Sequence, residues 1–338
     1  MSETGASDAG RLDQARSLAA RRDWRALADW GASVGEGVLL EEPEAAYLYA
    51  DALHRVGDLA GALRLIPQVE RRVRQGGDRH LLPRVVNLAG AALFAAGKPA
   101  EAGERFEELL EEATSDANDD FVGRACNNLG AVETLRGRRD TALTYFVRAL
   151  ASYRRIGWTR GLAQTHHNLG IAYRDLGFDA DADGNFRRAI ELATLAESED
   201  VIAMSETERA MLRARAGDGQ LAAELARRAI ERCRRIDDPI GVAHAVRVLA
   251  AAARADGRDA DADARLGEAL AMARALDDAL LLAEVLRDQG LLFRDLGREP
   301  EARAALAESA SHFEQLGAAA EAEALRAILA ALPEGAGG

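Results

Sequence analysis

Seven glycines stand 40 residues apart along this chain: Gly57, Gly97, Gly137, Gly177, Gly217, Gly257 and Gly297. Other columns keep the same phase. Ala62, Ala102, Ala142, Ala182, Ala222, Ala262 and Ala302 each follow a glycine by five residues. Ile66, Phe106, Phe146, Phe186, Ala226, Leu266 and Leu306 come four residues later again. A period of this length is the mark of a repeat array. Each unit is one supersecondary element that buries its apolar face against its neighbours.

Each unit reads as two helices. In residues 163–193, Leu169, Ala172, Tyr173 and Leu176 form an apolar stripe at helical spacing. Gly177 then ends the helix, as glycine does just past a C-cap. Ala182, Phe186, Ala189, Ile190 and Ala193 form a second stripe. Gly170 and Ala182 are small enough to let the two helices approach closely. Composition agrees, since alanine is abundant, proline is scarce, and no segment alternates β-branched residues.

The letters resemble the tetratricopeptide repeat (TPR), whose pattern is Leu-Gly-x-x-Tyr in helix A followed by Ala-x-x-x-Phe and a further Ala in helix B. Leu169-Gly170 with Tyr173, then Ala182, Phe186 and Ala189, match it. Leu129-Gly130 with Ala142, Phe146 and Ala149 match nearly as well. The usual Trp of helix A is replaced by His166 or Cys126, the closing Pro is absent, and repeats five and six show Arg209-Ala210 and Leu249-Ala250 instead of Leu-Gly. The 40-residue period is longer than the common unit. In this it is similar to the arrays of spindle-orientation adaptors, kinesin light chains and bacterial peptide or regulatory sensors. The resemblance implies an all-α, right-handed solenoid of seven helix-turn-helix repeats with capping helices at both ends.

The expected organisation is a disordered N-terminus at 1–10, a capping helix pair at 11–42, seven repeats at 43–317, a capping helix at 318–332 and a disordered tail at 333–338. Terminal repeats need such solvated caps. The formal net charge is −13, which disfavours nucleic acid or anionic lipid as non-specific partners. Nearly all basic residues are Arg, Lys98 being the only lysine. Two unpaired cysteines, a polar N-terminus without an apolar stretch and no apolar run of membrane length suggest a cytoplasmic location.

The stretch FDADADGNFRRAIE at 178–191 imitates the start of a calcium loop, with Asp179, Asp181 and Asp183 followed by Gly184. The period dissolves it. The same DADAD recurs at 259–263, and the twelfth loop position, which needs a bidentate Glu, holds Ile190. Acids at the start of a helix complement its dipole. No metal or other cofactor is expected. His166 and His167 are adjacent and point about 100° apart on a helix, so they cannot share one metal. His166 occupies the packing column of the missing Trp, and Cys126 the same column one repeat earlier. No nucleophile elbow, nucleotide fingerprint or zinc helix is present, so the chain is read as non-catalytic.

In TPR proteins the A helices line a concave face, and the resemblance assigns ligand-facing positions along one stripe of each. Here the stripe carries Arg55, Arg84, Arg124, Arg174, Arg215, Arg247, Arg254, Arg287 and Arg294 against Glu44, Asp51, Asp175, Glu284 and Asp295. That is an excess of four positive charges, trimmed to two by Glu208 and Asp288 at the next position. Asn127, Asn128, His167 and Asn168 cluster in repeats three and four. Asparagine can hold a peptide backbone by donating and accepting at once, and Arg forks onto carboxylates. The predicted groove is therefore Arg124, Asn127, Asn128, His167, Asn168, Arg174, Arg215, Arg247, Arg254, Arg287 and Arg294. Its partner would be a protein segment, acidic or C-terminal. The competing reading is a merely solvated stripe in a chain whose default basic residue is Arg. Three roles follow: an adaptor binding an extended segment, the sensor part of a bacterial signalling or transcription system, or a structural module self-associating through its end helices.

Overall fold

The structure, a computed structural model, describes residues 8–332, and every regular element among them is helical. It opens with α1 (Asp8–Ala20), α2 (Trp24–Val34) and the single turn α3 (Glu36–Leu39). Seven helix pairs follow. The A helices are α4 (Pro43–Arg55), α6 (Leu82–Ala95), α8 (Asp119–Leu135), α10 (Thr159–Asp175), α12 (Glu199–Arg215), α14 (Pro239–Ala255) and α16 (Ala279–Asp295). The B helices are α5 (Leu59–Gly76), α7 (Pro99–Ser115), α9 (Arg139–Ile156), α11 (Asp179–Leu195), α13 (Gly219–Arg235), α15 (Asp259–Leu276) and α17 (Glu299–Gln315). A last helix, α18 (Ala319–Ala331), packs on α17. Among the described residues the fold is all-α, a series of helix pairs packed in chain order. The tail at 333–338 and residues 1–7 lie outside the described residues, while 8–10 already belong to α1. The expected N-terminal helix pair has a third, short member. Gly35 at φ +90 breaks α2, and Pro43 at the first turn of α4 restarts the chain.

The phase glycines do what their spacing requires. All seven have φ between +71 and +86, where a side chain would be strained. Behind Gly137 the turn closes in the Schellman manner: the Arg138 N–H donates to the Glu133 carbonyl at 2.8 Å. A second left-handed column beats at the same period at the B-to-A exits: Gly77, Ala117, Gly157, Glu197, Asp237, Asp277 and Gly317. Two of these exits share a pair of acids, in RRIDDPIG at 234–241 and RALDDALL at 274–281. The first Asp takes the left-handed turn, which Asp tolerates better than most residues. The second caps the next helix: Asp238 Oδ1 accepts from Gly241 N at 2.9 Å, and Asp278 Oδ1 accepts from Leu281 N at 2.9 Å.

The A–B interface has its own rule. A Cβ placed on Gly90, Gly130 or Gly170 would stand 2.4 Å from the ring of Phe106, Phe146 or Phe186 respectively. Those three rings are among the largest fully buried side chains. Where the A helix carries alanine instead, at Ala210 and Ala250, the partner column holds Ala226 and Leu266.

The chain forms two compact units, one ending at Phe121 and one beginning at Val122. The first packs α1–α3 and the first two repeats around Leu27, Leu39, Tyr49, Leu65 and Val69. The second holds the other five repeats and α18. Within it α10 touches α12 and α12 touches α14, so its A helices meet directly from repeat to repeat. The DADAD acids lie in the first turns of α11 and α15, as their dipole role predicts. Asp183 is held by Arg209 at 2.7 Å and by Arg187 and Arg213, and Asp263 by Arg298 at 2.8 Å. Cys126 and Cys233 are buried, and burial pushes their thiols up to about 11 and about 12.

Candidate functional site

The A helices of the second unit share a polar inner edge built from pairs about one period apart. Asn168 Nδ2 on α10 donates to Asn127 Oδ1 on α8 at 3.1 Å. His167 Nδ1 lies 3.1 Å from Ser205 Oγ on α12. Arg174 on α10 pairs with its neighbour Asp175 at 2.8 Å and with Glu208 on α12. Arg247 on α14 reaches Glu284 at 3.0 Å and Asp288 at 2.9 Å, both on α16. Arg254 pairs with Asp295, which also takes Arg294 at 2.8 Å, and Arg287 pairs with Asp288 at 3.1 Å. The repeat explains the regularity. Residues 34 to 41 apart fall on facing edges of consecutive A helices.

These pairs balance the charge of the predicted basic stripe. An arginine here has a carboxylate one step along or one repeat on, so most of its charge is spent within the protein. The ionised states are mutually enforced. Burial alone would push the Glu208 carboxyl up, but Arg174, His167 and Arg247 outweigh it and hold it well below the usual carboxylate range. Burial alone would lower the Arg174 guanidinium, but Glu208, Asp175 and Glu284 raise it. Arg247 is buried to 5% exposure and behaves likewise beside Glu284 and Asp288.

Two histidine assignments also change. His167, expected at the groove, is 2% exposed, sits against Ser205 and Phe186, and burial pulls its imidazole down to about 4. His166, expected in the core, is only half-buried, with Nδ1 2.9 Å from Asn185 Oδ1 on its own B helix. The cause is the direct contact between A helices, which seals the edge that a looser array would leave open. Asn127 is buried as well, while Asn128 and Asn168 are half-buried. Arg124 stacks over the Trp158 ring at 4.3 Å.

Arg215, at the C-terminal end of α12, differs from the rest. It is exposed, and it makes no hydrogen bond or ion pair among the described residues. Partial desolvation lowers its guanidinium first, and the nearby Arg174 and Arg287 lower it further, against Glu208 and Asp175. Among the described residues of the predicted stripe, Arg174, Arg247, Arg254, Arg287 and Arg294 are held by carboxylates, and Arg215 is not. Sequence could name Arg215 but not single it out, because pairing depends on where each carboxylate of the next repeat lands.

With this geometry in hand, similarity to known proteins can be placed. The tetratricopeptide repeat family model matches residues 121–195. No curated protein matches the sequence. Among solved structures, the Rap conjugation gene regulator of the plasmid pLS20 in complex with the Phr* peptide is similar with a TM-score of 0.71 and 17% identity, covering 86% of this chain and 78% of that one. A Rap protein complexed with Competence and Sporulation Factor gives 0.61 and 16% identity, with 96% of each chain covered. NprR in complex with its cognate peptide NprX gives 0.60 and 16%, with 82% and 83% covered. At such identities the likeness is one of fold. The family match covers residues 121–195, and beyond them the likeness is to the fold of these helical-repeat structures.

Proposed function

We propose that the inner edge of the A helices in residues 122–332 binds an extended peptide segment, and that Arg215 takes a carboxylate from it. The observation that carries this reading is the contrast just drawn. Arg215 stays unpaired between Arg174 and Arg287 on an edge where the other stripe arginines of α10, α14 and α16 are held by carboxylates. An exposed guanidinium with no ion pair among the described residues, set near two other arginines, is a local reason to recruit an anion. Asn128 and Asn168 stand on the same edge with amides suited to a backbone. The protein acts through binding and not through chemistry. Two of the structures it is similar to, the pLS20 Rap regulator and NprR, were solved with bound peptides, which supports the sensor role over the plain adaptor for this edge.

A fluorescent library of short peptides with acidic or free C-termini, titrated at low salt, provides the test. Arg215→Glu should weaken the best binder by about tenfold or more, as loss of a charge-assisted contact does. Arg294→Glu, on the same stripe but already held by Asp295, should change it far less. Equal losses in both, or none in Arg215→Glu, would remove Arg215 from the site.

A further inference from the structure

The second unit returns on itself. Helix α18 caps α17, but it also meets the turn between α8 and α9, some 180 residues earlier in the chain. Leu135 at the end of α8 packs against the cluster that contains Leu325 and Phe313, beside Ile328 and Leu329. A Cβ on Gly137 would touch Ala320 Cβ at 3.5 Å. The meeting point is poorly satisfied. Glu321 in the first turn of α18 has its Oε2 atom buried without a hydrogen-bond partner, and Arg139 at the start of α9 has its Nε in the same condition. The charged groups acting on Glu321 come from three other helices: Asp175 on α10, Arg139 on α9 and Arg287 on α16. Asp175 repels it, and Arg287 is already committed to Asp288. On α8 the nearby Glu133 is spent on Arg136 and Arg138, and on α17 Glu314 is spent on Arg326.

We propose that α18 is a latch closing residues 122–332 into a ring, and that Glu321 is its built-in weak point, a half-buried carboxylate with one oxygen left without a donor, so that the closure can open. Elsewhere along the inner edge, carboxylates meet guanidiniums directly. At this closure the Glu321 carboxylate feels Asp175 as well as Arg139 and Arg287, and its unmet buried oxygen costs desolvation. The apolar contact of Leu135 favours the shut state, and the Glu321 carboxylate opposes it. A balance of that kind is what an element drawn on for opening requires. The Glu321 carboxyl is itself shifted up, by burial first and also by Asp175, outweighing a hydrogen bond from its own backbone and the pull of Arg139 and Arg287. The latch stands independently of what the inner edge binds, but its use would be to admit the peptide proposed above.

Amide hydrogen exchange on the full chain, with no ligand added and at one fixed neutral pH, tests it. Glu321→Gln keeps the shape and removes the charge, so it should slow exchange both in 319–331 and at the 135–139 turn by roughly three- to tenfold. Leu135→Ala should accelerate both by a similar factor while leaving the middle of α17 unchanged. If the two variants alter α18 alone and leave the turn as in wild type, α18 is an ordinary cap. If Glu321→Gln changes neither segment, the weak point is not Glu321. Either result overturns the latch without touching the peptide reading, since no peptide is present.

Discussion

His167 shows how one step of residue register decides chemistry. The sequence placed His166 in the core and His167 at the groove, because the family's Trp column falls on His166. Both lie about 100° apart on the same helix, so only one can face α12 across the A–A contact, and it is His167. Its imidazole, desolvated against Phe186 and set beside Arg174, stays neutral down to about 4. The consequence for stability has a definite sign. The unfolded chain takes up a proton at the ordinary histidine pKa of about 6.5, whereas the folded chain refuses it until about pH 4. Stability from this residue is therefore complete above the ordinary value and falls as pH drops through that window. His167→Gln should lower stability at pH 7 but flatten the dependence. The difference in unfolding free energy between pH 7 and 4.5 should shrink by roughly 2 kcal/mol, read from urea titrations. His54 and His166 are also lowered by burial, but they remain in both proteins and cancel. An unchanged pH dependence would mean the ring is wetter than its surroundings imply.

At the scale of the helix pair, the readable and the unreadable columns have different causes. The A–B glycines were legible because a left-handed turn with no room for strain demands one letter. The B–A exits use the same conformation at the same period, yet four of the seven hold Ala117, Glu197, Asp237 and Asp277, so no single letter fills the column. The Leu-Gly signature is legible as a motif, while its reason is visible only in the structure, where the missing Cβ is the seat of the next helix's Phe ring. That reason makes a prediction. Gly170→Ala would place Cβ 2.4 Å from Phe186 Cε1, and the ring is fully buried. Overpacking of this sort costs about 1–3 kcal/mol, seen as a lower thermal midpoint. Adding Phe186→Leu should recover part of the loss, reproducing the natural pairing of Ala250 with Leu266. A double variant no better than the sum of the two singles would mean that the columns vary independently.

On the scale of the whole chain, the period announces seven repeats but is silent about where the array divides. Each repeat carries the same phase letters, and the boundary after Phe121 falls inside α8, leaving only its first three residues behind. Compactness is a property of summed contacts, which no single column reports. The pairing of the inner edge is hidden in part for the same reason: Arg294 has Asp295 beside it in the sequence, but that Arg247 meets Asp288 one repeat on shows only in the fold. The division carries a prediction, because a unit with its own core can fold alone. Residues 122–332 contain Phe146, Phe186, Leu281, Leu292 and Leu306 fully buried, and they end in their own cap, α18. A fragment starting at Asn118, to spare the capping turn of α8, should keep the helicity per residue of the intact chain by circular dichroism. It should also unfold in one cooperative urea transition. Its weakest part should be α8, now a terminal repeat with no cap before it, and exchange there should be the fastest of the A helices. A fragment that binds a hydrophobic dye and melts without a transition would show that the first 117 residues supply part of the core. The unit at 122–338 would then be a geometric division only, with folding shared along the entire array.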